Sequence, residues 1–203
     1  MTIKAPVRAA LAAALTASAV FGVAASNGAT DHHHHAAGKP KAKLVRQLAR
    51  ARVATAPFVA DLARAKNAGY KQITPMMHNM GFHYLNPGIT KFDPAKPPIL
   101  VYTKRNGRYQ LGALEWVFPT KPKKAPFPGA RYGSFPAACH YDDGTFTPAS
   151  SEDDCAPTSP DTGTPFVFWH PKLVTLHVWI WYPNPDGLYN PTNPLVRPFN
   201  GEQ

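Results

Sequence analysis

The dipeptide Asn106-Gly107, set between two strand-like runs, constrains this chain more than any other feature. Asn-Gly accepts the positive backbone angles of a two-residue hairpin turn. Ile99-Leu100-Val101-Tyr102-Thr103 is therefore predicted to return as the strand Arg108 to Phe118. The alternation of that strand puts Leu111, Ala113, Glu115 and Val117 on one face, and Gly112, Leu114, Trp116 and Phe118 on the other. Both faces are apolar, with Glu115 as the exception. A second core-like run, Leu173 to Trp181, carries Thr175, His177, Trp179 and Trp181 on one face and Val174, Leu176, Val178 and Ile180 on the other. A carboxylate and an imidazole thus occupy places where apolar residues belong. Buried polar groups must be satisfied, and a metal ion is one way to satisfy several at once.

Further candidates follow from the same reasoning. His78 and His83 lie five residues apart in Met76-Met77-His78-Asn79-Met80-Gly81-Phe82-His83. That spacing does not share a helix face, but a loop bent at Gly81 and running into a strand brings the two together. His170 ends the short strand-like run Phe166-Val167-Phe168-Trp169. His140 is weaker, standing beside Cys139. The expected metal ligands are His83, Glu115, His177, His78 and His170. Trp116, Trp179, Trp181 and Tyr84 are expected to form the pocket wall. Imidazole and carboxylate suit copper, zinc or iron, and the thioethers of Met76, Met77 and Met80 would favour copper unless they simply pack. Three competing readings stay open: histidines satisfied singly by a carboxylate or carbonyl, a structural ion pair at Glu115, and a metal-free His–Glu–His acid/base cluster. The sequence has no Gly-x-Ser-x-Gly elbow, phosphate-binding glycine loop, His-Glu-x-x-His or Cys-x-x-Cys, so those chemistries have no support.

The chain has 203 residues and a formal charge of +10. Residues 1–25 read as a secretory signal peptide: Lys4 and Arg8, then an alanine-rich apolar stretch, then Val23-Ala24-Ala25 as the cleavage signal. No transmembrane segment is expected once the signal is removed. Residues 26–42, with His32 to His35, read as a disordered tail that binds metals loosely or has no role. Residues 43–203 read as a single globular domain. Residues 43–68 are helical in pattern. Leu44, Leu48 and Ala51 form one stripe, and Pro57 opens a second helix after Thr55 as its cap. Residues 121–164 read as loop. In an exported chain Cys139 and Cys155 are expected to pair, stabilising the fold by about 3 kcal/mol in the chain-entropy model. A Cys/His metal site through His140 is the alternative. The four Asn-Pro pairs at Asn86, Asn184, Asn190 and Asn193 read as turns.

Several segments together resemble an uncharacterised family of small exported bacterial proteins. They are Ala68-Gly69-Tyr70, Met80-Gly81-Phe82-His83-Tyr84-Leu85-Asn86-Pro87, Leu114-Glu115-Trp116-Val117-Phe118-Pro119 and Leu176-His177-Val178-Trp179-Ile180-Trp181, followed by Asn184-Pro185-Asp186-Gly187 and Asn193-Pro194. The resemblance runs from Ala54 to Val196. It implies that His83, Glu115 and His177 belong to the defining motifs, with His78 outside them, and it implies no activity.

The expected fold is α+β, loop- and proline-rich, with N-terminal helices on a small antiparallel sheet or an open, cupin-like barrel. The leading function is an exported protein with a His/Glu transition-metal site, in a binding or enzymatic role, acting on a small molecule. One rival is a metal-free module whose aromatic residues bind carbohydrate or cell-wall polymer. The other is a basic envelope protein binding anionic polymers. No nucleic-acid module is visible, and nucleic acid is not an expected partner.

Overall fold

The computed structural model describes residues 39–197. The predicted signal peptide and the His32 to His35 run lie outside the described residues.

Helix α1 (Lys39–Thr55) turns Leu44, Leu48 and Ala51 toward the core, as their spacing predicts. It starts before the predicted end of the tail, so residues 39–42 are helical. Pro40 is compatible with that start, because a first-turn residue has no N–H bond to lose. Pro57 opens a single 3-10 turn, Ala56–Phe58, rather than the second helix. Thr55 is not a cap. Its hydroxyl donates back to the Ala51 carbonyl at 2.8 Å and accepts the Trp181 indole N–H at 2.9 Å. Helix α2 (Leu62–Asn67) is capped by Asp61, whose carboxylate accepts the Arg64 N–H. Gly69 then carries the chain out of the helix at φ +94°.

Nine strands follow among the described residues: β1 (Lys71–Gln72), β2 (Phe82–Leu85), β3 (Ile99–Arg105), β4 (Arg108–Phe118), β5 (Gly133–Phe135), β6 (Ala138–Tyr141), β7 (Phe146–Pro148), β8 (Phe166–His170) and β9 (Leu173–Val178). All pairings are antiparallel. They form a six-stranded sheet in the order β1-β2-β3-β4-β9-β5 and a three-stranded sheet in the order β7-β6-β8. The class is α+β, with open sheets and no closed barrel. The segment 121–164 is not all loop, since it supplies β5, β6 and β7. Cys139 and Cys155 form a disulfide with Cα atoms 5.7 Å apart, tying β6 to the turn Glu152–Asp154. Asn86, Asn184, Asn190 and Asn193 each accept a backbone N–H two residues on, which makes all four Asn-Pro sites side-chain turns.

The β3–β4 hairpin turns at Asn106 and Gly107, with φ of 50° and 72°. Its pairing slips once. Val101 faces Ala113, but Tyr102 faces Leu111, so Gly112 bulges out of the ladder. The slip moves Leu111 off the Glu115 face predicted for it. Leu111 packs instead with Leu114 and Trp116. The Gly112 carbonyl accepts the N–H groups of Trp181 and Tyr182, both at 3.1 Å. Strand β9 therefore stops at Val178 rather than continuing to Trp181.

Both faces of the large sheet are covered. Phe82, Tyr84, Leu100, Tyr102, Leu111, Leu114, Trp116, Leu176 and Val178 pack with Ala51 and Ala65 of the helices. The opposite face carries Ile99, Val101, Ala113 and Trp179, with Leu85 and Val117 packed beside them. The three-stranded sheet lies over this second face, and the His140 ring donates to the Ile73 carbonyl at 2.8 Å.

Gly81 sits at the entry to β2 at φ +115°, and a Cβ there would press on the Tyr102 carbonyl oxygen. Gly81→Ala is expected to cost more than about 2 kcal/mol in urea unfolding. Gly163→Ala, at φ 72° with open space around it, should cost about 1 kcal/mol. Equal costs would contradict the close approach at Gly81.

Candidate metal centre

Glu115 and His177 are direct cross-strand partners in β4 and β9. His83, on β2, lies across β3. It pairs with Val101, while Ile99 pairs with Glu115. Side-chain alternation puts all three on the face away from the helices, and all three are buried, Glu115 to 4% exposure. Their donor atoms meet. The two Nε2 atoms are 3.4 Å apart, and each is 3.6 Å from Glu115 Oε2. These separations are long for hydrogen bonds. They suit a shared ion better, because a point equidistant from the three atoms lies about 2.0 Å from each, against zinc bonds of about 2.0–2.2 Å to nitrogen and oxygen.

Neighbouring groups aim two of the ligands. The Thr74 hydroxyl lies 2.9 Å from His83 Nδ1 and accepts the His83 backbone N–H at 3.1 Å. The Gly81 carbonyl accepts a hydrogen bond from the His83 ring. A proton on Nδ1, shared with the Thr74 hydroxyl, would leave the Nε2 lone pair directed at the centre. Glu115 is fixed by its place in the middle of the ladder. His177 lies nearly parallel to Trp179, with rings 15° apart in plane and centroids at 6.3 Å. No group among the described residues bonds its Nδ1.

Burial sets the charge state. It pushes the Glu115 carboxyl up to about 8. It pushes His83 down to about 4, opposed by the Gly81 carbonyl and assisted by His140. It pushes His177 down to about 3, with His83 adding to the effect. In the metal-free protein burial thus favours the neutral form of each group across the two 3.6 Å contacts. A divalent cation reverses the balance. It needs an ionised carboxylate and neutral imidazoles, the donor set the three residues supply.

The cluster opens on a cavity of about 210 Å³. The six-stranded sheet lines it with the apolar side chains of Leu85, Ile99, Val117, Phe135 and Leu173, and the three-stranded sheet adds Phe168. Polar groups in it include Thr74, Thr175, His140 and His170.

The sequence-based site is corrected in three respects. His78 is exposed and does not reach the cluster, because the turn closed by the Met77–Gly81 bridge puts it on the solvent side. His170 lines the cavity but joins His140, with Nε2 atoms 3.1 Å apart, rather than His83, Glu115 and His177. None of Trp116, Trp179, Trp181 and Tyr84 lines the cavity. Tyr84 and Trp116 alternate onto the helix face. Trp181 turns there after β9 ends, and Trp179 backs His177. Their polar atoms are already engaged, by Gln72, Asp93, Thr55 and Asn190 respectively. Thr74 was missed, since nothing in the sequence marks a lone threonine as a ligand's support. His140 was undervalued for standing beside Cys139. No family model, curated protein or solved structure matches this chain.

The pH dependence of stability tests the buried centre. Folded Glu115 keeps its proton to about pH 8, whereas the unfolded chain releases it near 4.5, so this group lowers stability as pH rises through that window. His83, His140 and His177 refuse protons that the unfolded chain takes below 6.5, so they raise stability up to that pH. Between pH 6.5 and 8 Glu115 acts alone among these groups. The chelator-treated protein should lose on the order of 1 kcal/mol per pH unit there, measured by urea unfolding, and Glu115→Gln should flatten the profile. A wild-type profile already flat in that range would contradict a buried, protonated Glu115.

Proposed function

We propose that this is an exported protein in which His83, Glu115 and His177 hold one divalent transition-metal ion with a coordination position facing the cavity. The observation that carries the reading is the near-equilateral triangle of donor atoms at 3.4 to 3.6 Å. Two imidazoles and one carboxylate are a donor set of zinc enzymes and of non-haem iron(II) centres, so zinc and iron(II) lead and copper follows. A bound ion would act there as a Lewis acid toward a ligand in the open position. The chain itself does the rest. Thr74 and Gly81 orient His83, the ladder orients Glu115 and His177, and the apolar walls exclude water.

The cavity is below the roughly 300–1,000 Å³ usual for drug-sized ligands. Its ligand is therefore a small, largely apolar molecule with a lone-pair donor. The disulfide supports an extracytoplasmic location, because such bonds persist in oxidising compartments. No helix among the described residues is long and apolar enough to cross a membrane. The signal-like N-terminus and the resemblance to exported bacterial proteins support the same location. The carbohydrate reading loses its basis, since its aromatic platform is packed inside the fold.

The test is metal content by mass spectrometry on the full chain, with His32 to His35 changed to alanine so that the tail takes no ion. His177→Ala and Glu115→Gln should each remove one equivalent of tightly held metal while circular dichroism stays unchanged. A folded chain that takes up no zinc, iron or copper, or variants that hold as much as the parent, would sink the proposal.

A further inference from the structure

The second histidine pair in the cavity has an electrostatic problem that its surroundings create. His140 Nδ1 lies 2.8 Å from the Ile73 carbonyl, and His170 Nδ1 lies 2.7 Å from the Pro171 carbonyl. A carbonyl oxygen only accepts, so each Nδ1 must carry the ring's hydrogen. A neutral imidazole has one N–H. Both Nε2 atoms therefore present bare lone pairs, and these face each other at 3.1 Å. Two lone pairs at that distance repel unless a positive species lies between them.

That species is a proton or a metal ion. His140 is 1% exposed and stacked on Phe168, with rings 9° apart in plane and centroids at 4.6 Å. The geometry suits an ion. Two bonds of about 2.05 Å to these nitrogens would meet at about 100°, between the octahedral and tetrahedral angles. Both rings are anchored through Nδ1 to backbone carbonyls, the arrangement that fixes metal-ligating histidines. Strands β6 and β8 carry the pair, and the disulfide at Cys139 pins β6 beside it.

We infer that His140 and His170 form a second transition-metal site in the same cavity, taking a borderline cation such as zinc(II) or copper(II) with its remaining positions open to the cavity. The cavity then carries two ions, one on each covering sheet. This site does not depend on the His83–Glu115–His177 centre, and either can exist without the other.

The decisive experiment disables the first centre. The full chain, with His32 to His35 changed to alanine and with Glu115→Gln and His177→Ala, is titrated with copper(II). One equivalent should bind, and its electron paramagnetic resonance spectrum should show two nitrogen ligands. Adding His170→Gln should weaken binding at least tenfold and remove one nitrogen from the spectrum. His170 is only partly buried, so this change leaves the fold intact. In the otherwise wild-type background, zinc stoichiometry should fall by one equivalent on His170→Gln, a readout that stands if the disabled chain does not fold. No copper bound by the folded disabled chain, or binding unchanged by His170→Gln, overturns the site. So does a nitrogen-15 spectrum showing a single proton shared between the Nε2 atoms in zinc-saturated protein.

Discussion

A sheet covered on both faces is the constraint on which this structure depends. Away from the exposed hairpin end at Lys104 to Gln110, strands β2, β3, β4 and β9 have no solvent side. Every side chain they carry must pack in one apolar layer or the other, or be satisfied by something inside. Three ionisable side chains fall on the layer away from the helices, and their common burial makes them one problem. Ionised and unpaired, each would cost several kcal/mol. The protein has two ways out: all three groups neutral, or a cation that makes the carboxylate charge useful. The first explains why the metal-free fold tolerates the cluster. The second would suit donor atoms that stand 3.4 to 3.6 Å apart, long for hydrogen bonds.

The two layers divide the labour. The helix-side layer holds most of the large buried side chains, including Tyr84, Tyr102, Leu114, Trp116 and Leu176. Burying each is worth about 1.5–3 kcal/mol. The other layer is thinner and leaves a cavity between the sheets. The Gly112 bulge turns Leu111 toward the helices while Glu115, four residues further along the strand, stays on the cavity side. One extra residue thus adds to the core without moving the centre.

The legible parts of the sequence were those carried by strong local signals. Asn106-Gly107 defined the hairpin, and strict alternation in two apolar runs made Glu115 and His177 stand out as inward-facing. His83 entered through the resemblance carried by Met80 to Pro87 rather than through alternation. What stayed hidden depends on contacts distant in sequence. Strands β5, β6 and β7 are three or four residues long, too short to show a period, so their segment read as loop. The bulge is invisible because Gly112 fits the alternation as well as it fits a slip. His78 was paired with His83 only through a bend at Gly81, and the Met77–Gly81 bridge separates them. His140 looked bound to its disulfide neighbour, yet the same tie sets its strand over the cavity.

The tryptophans show how a wrong role can conceal a right position. Trp179 does share a face with His177, as the alternation requires, but it does not face the cavity. Three of the four cavity histidines have Nδ1 against a carbonyl or hydroxyl oxygen: His83 at Thr74, His140 at Ile73 and His170 at Pro171. For those rings a hydrogen bond decides which nitrogen faces inward. His177 has no such bond from the protein, so its orientation rests on its ladder partner Glu115 and on the flat face of Trp179. A ring held by stacking keeps its plane but not its tautomer, and its proton is free to sit on whichever nitrogen the centre does not use. That freedom lets one side chain serve both states of the site. The Nε2 proton can point at Glu115 and His83 when no ion is bound, and move to Nδ1 when the Nε2 lone pair is needed for coordination.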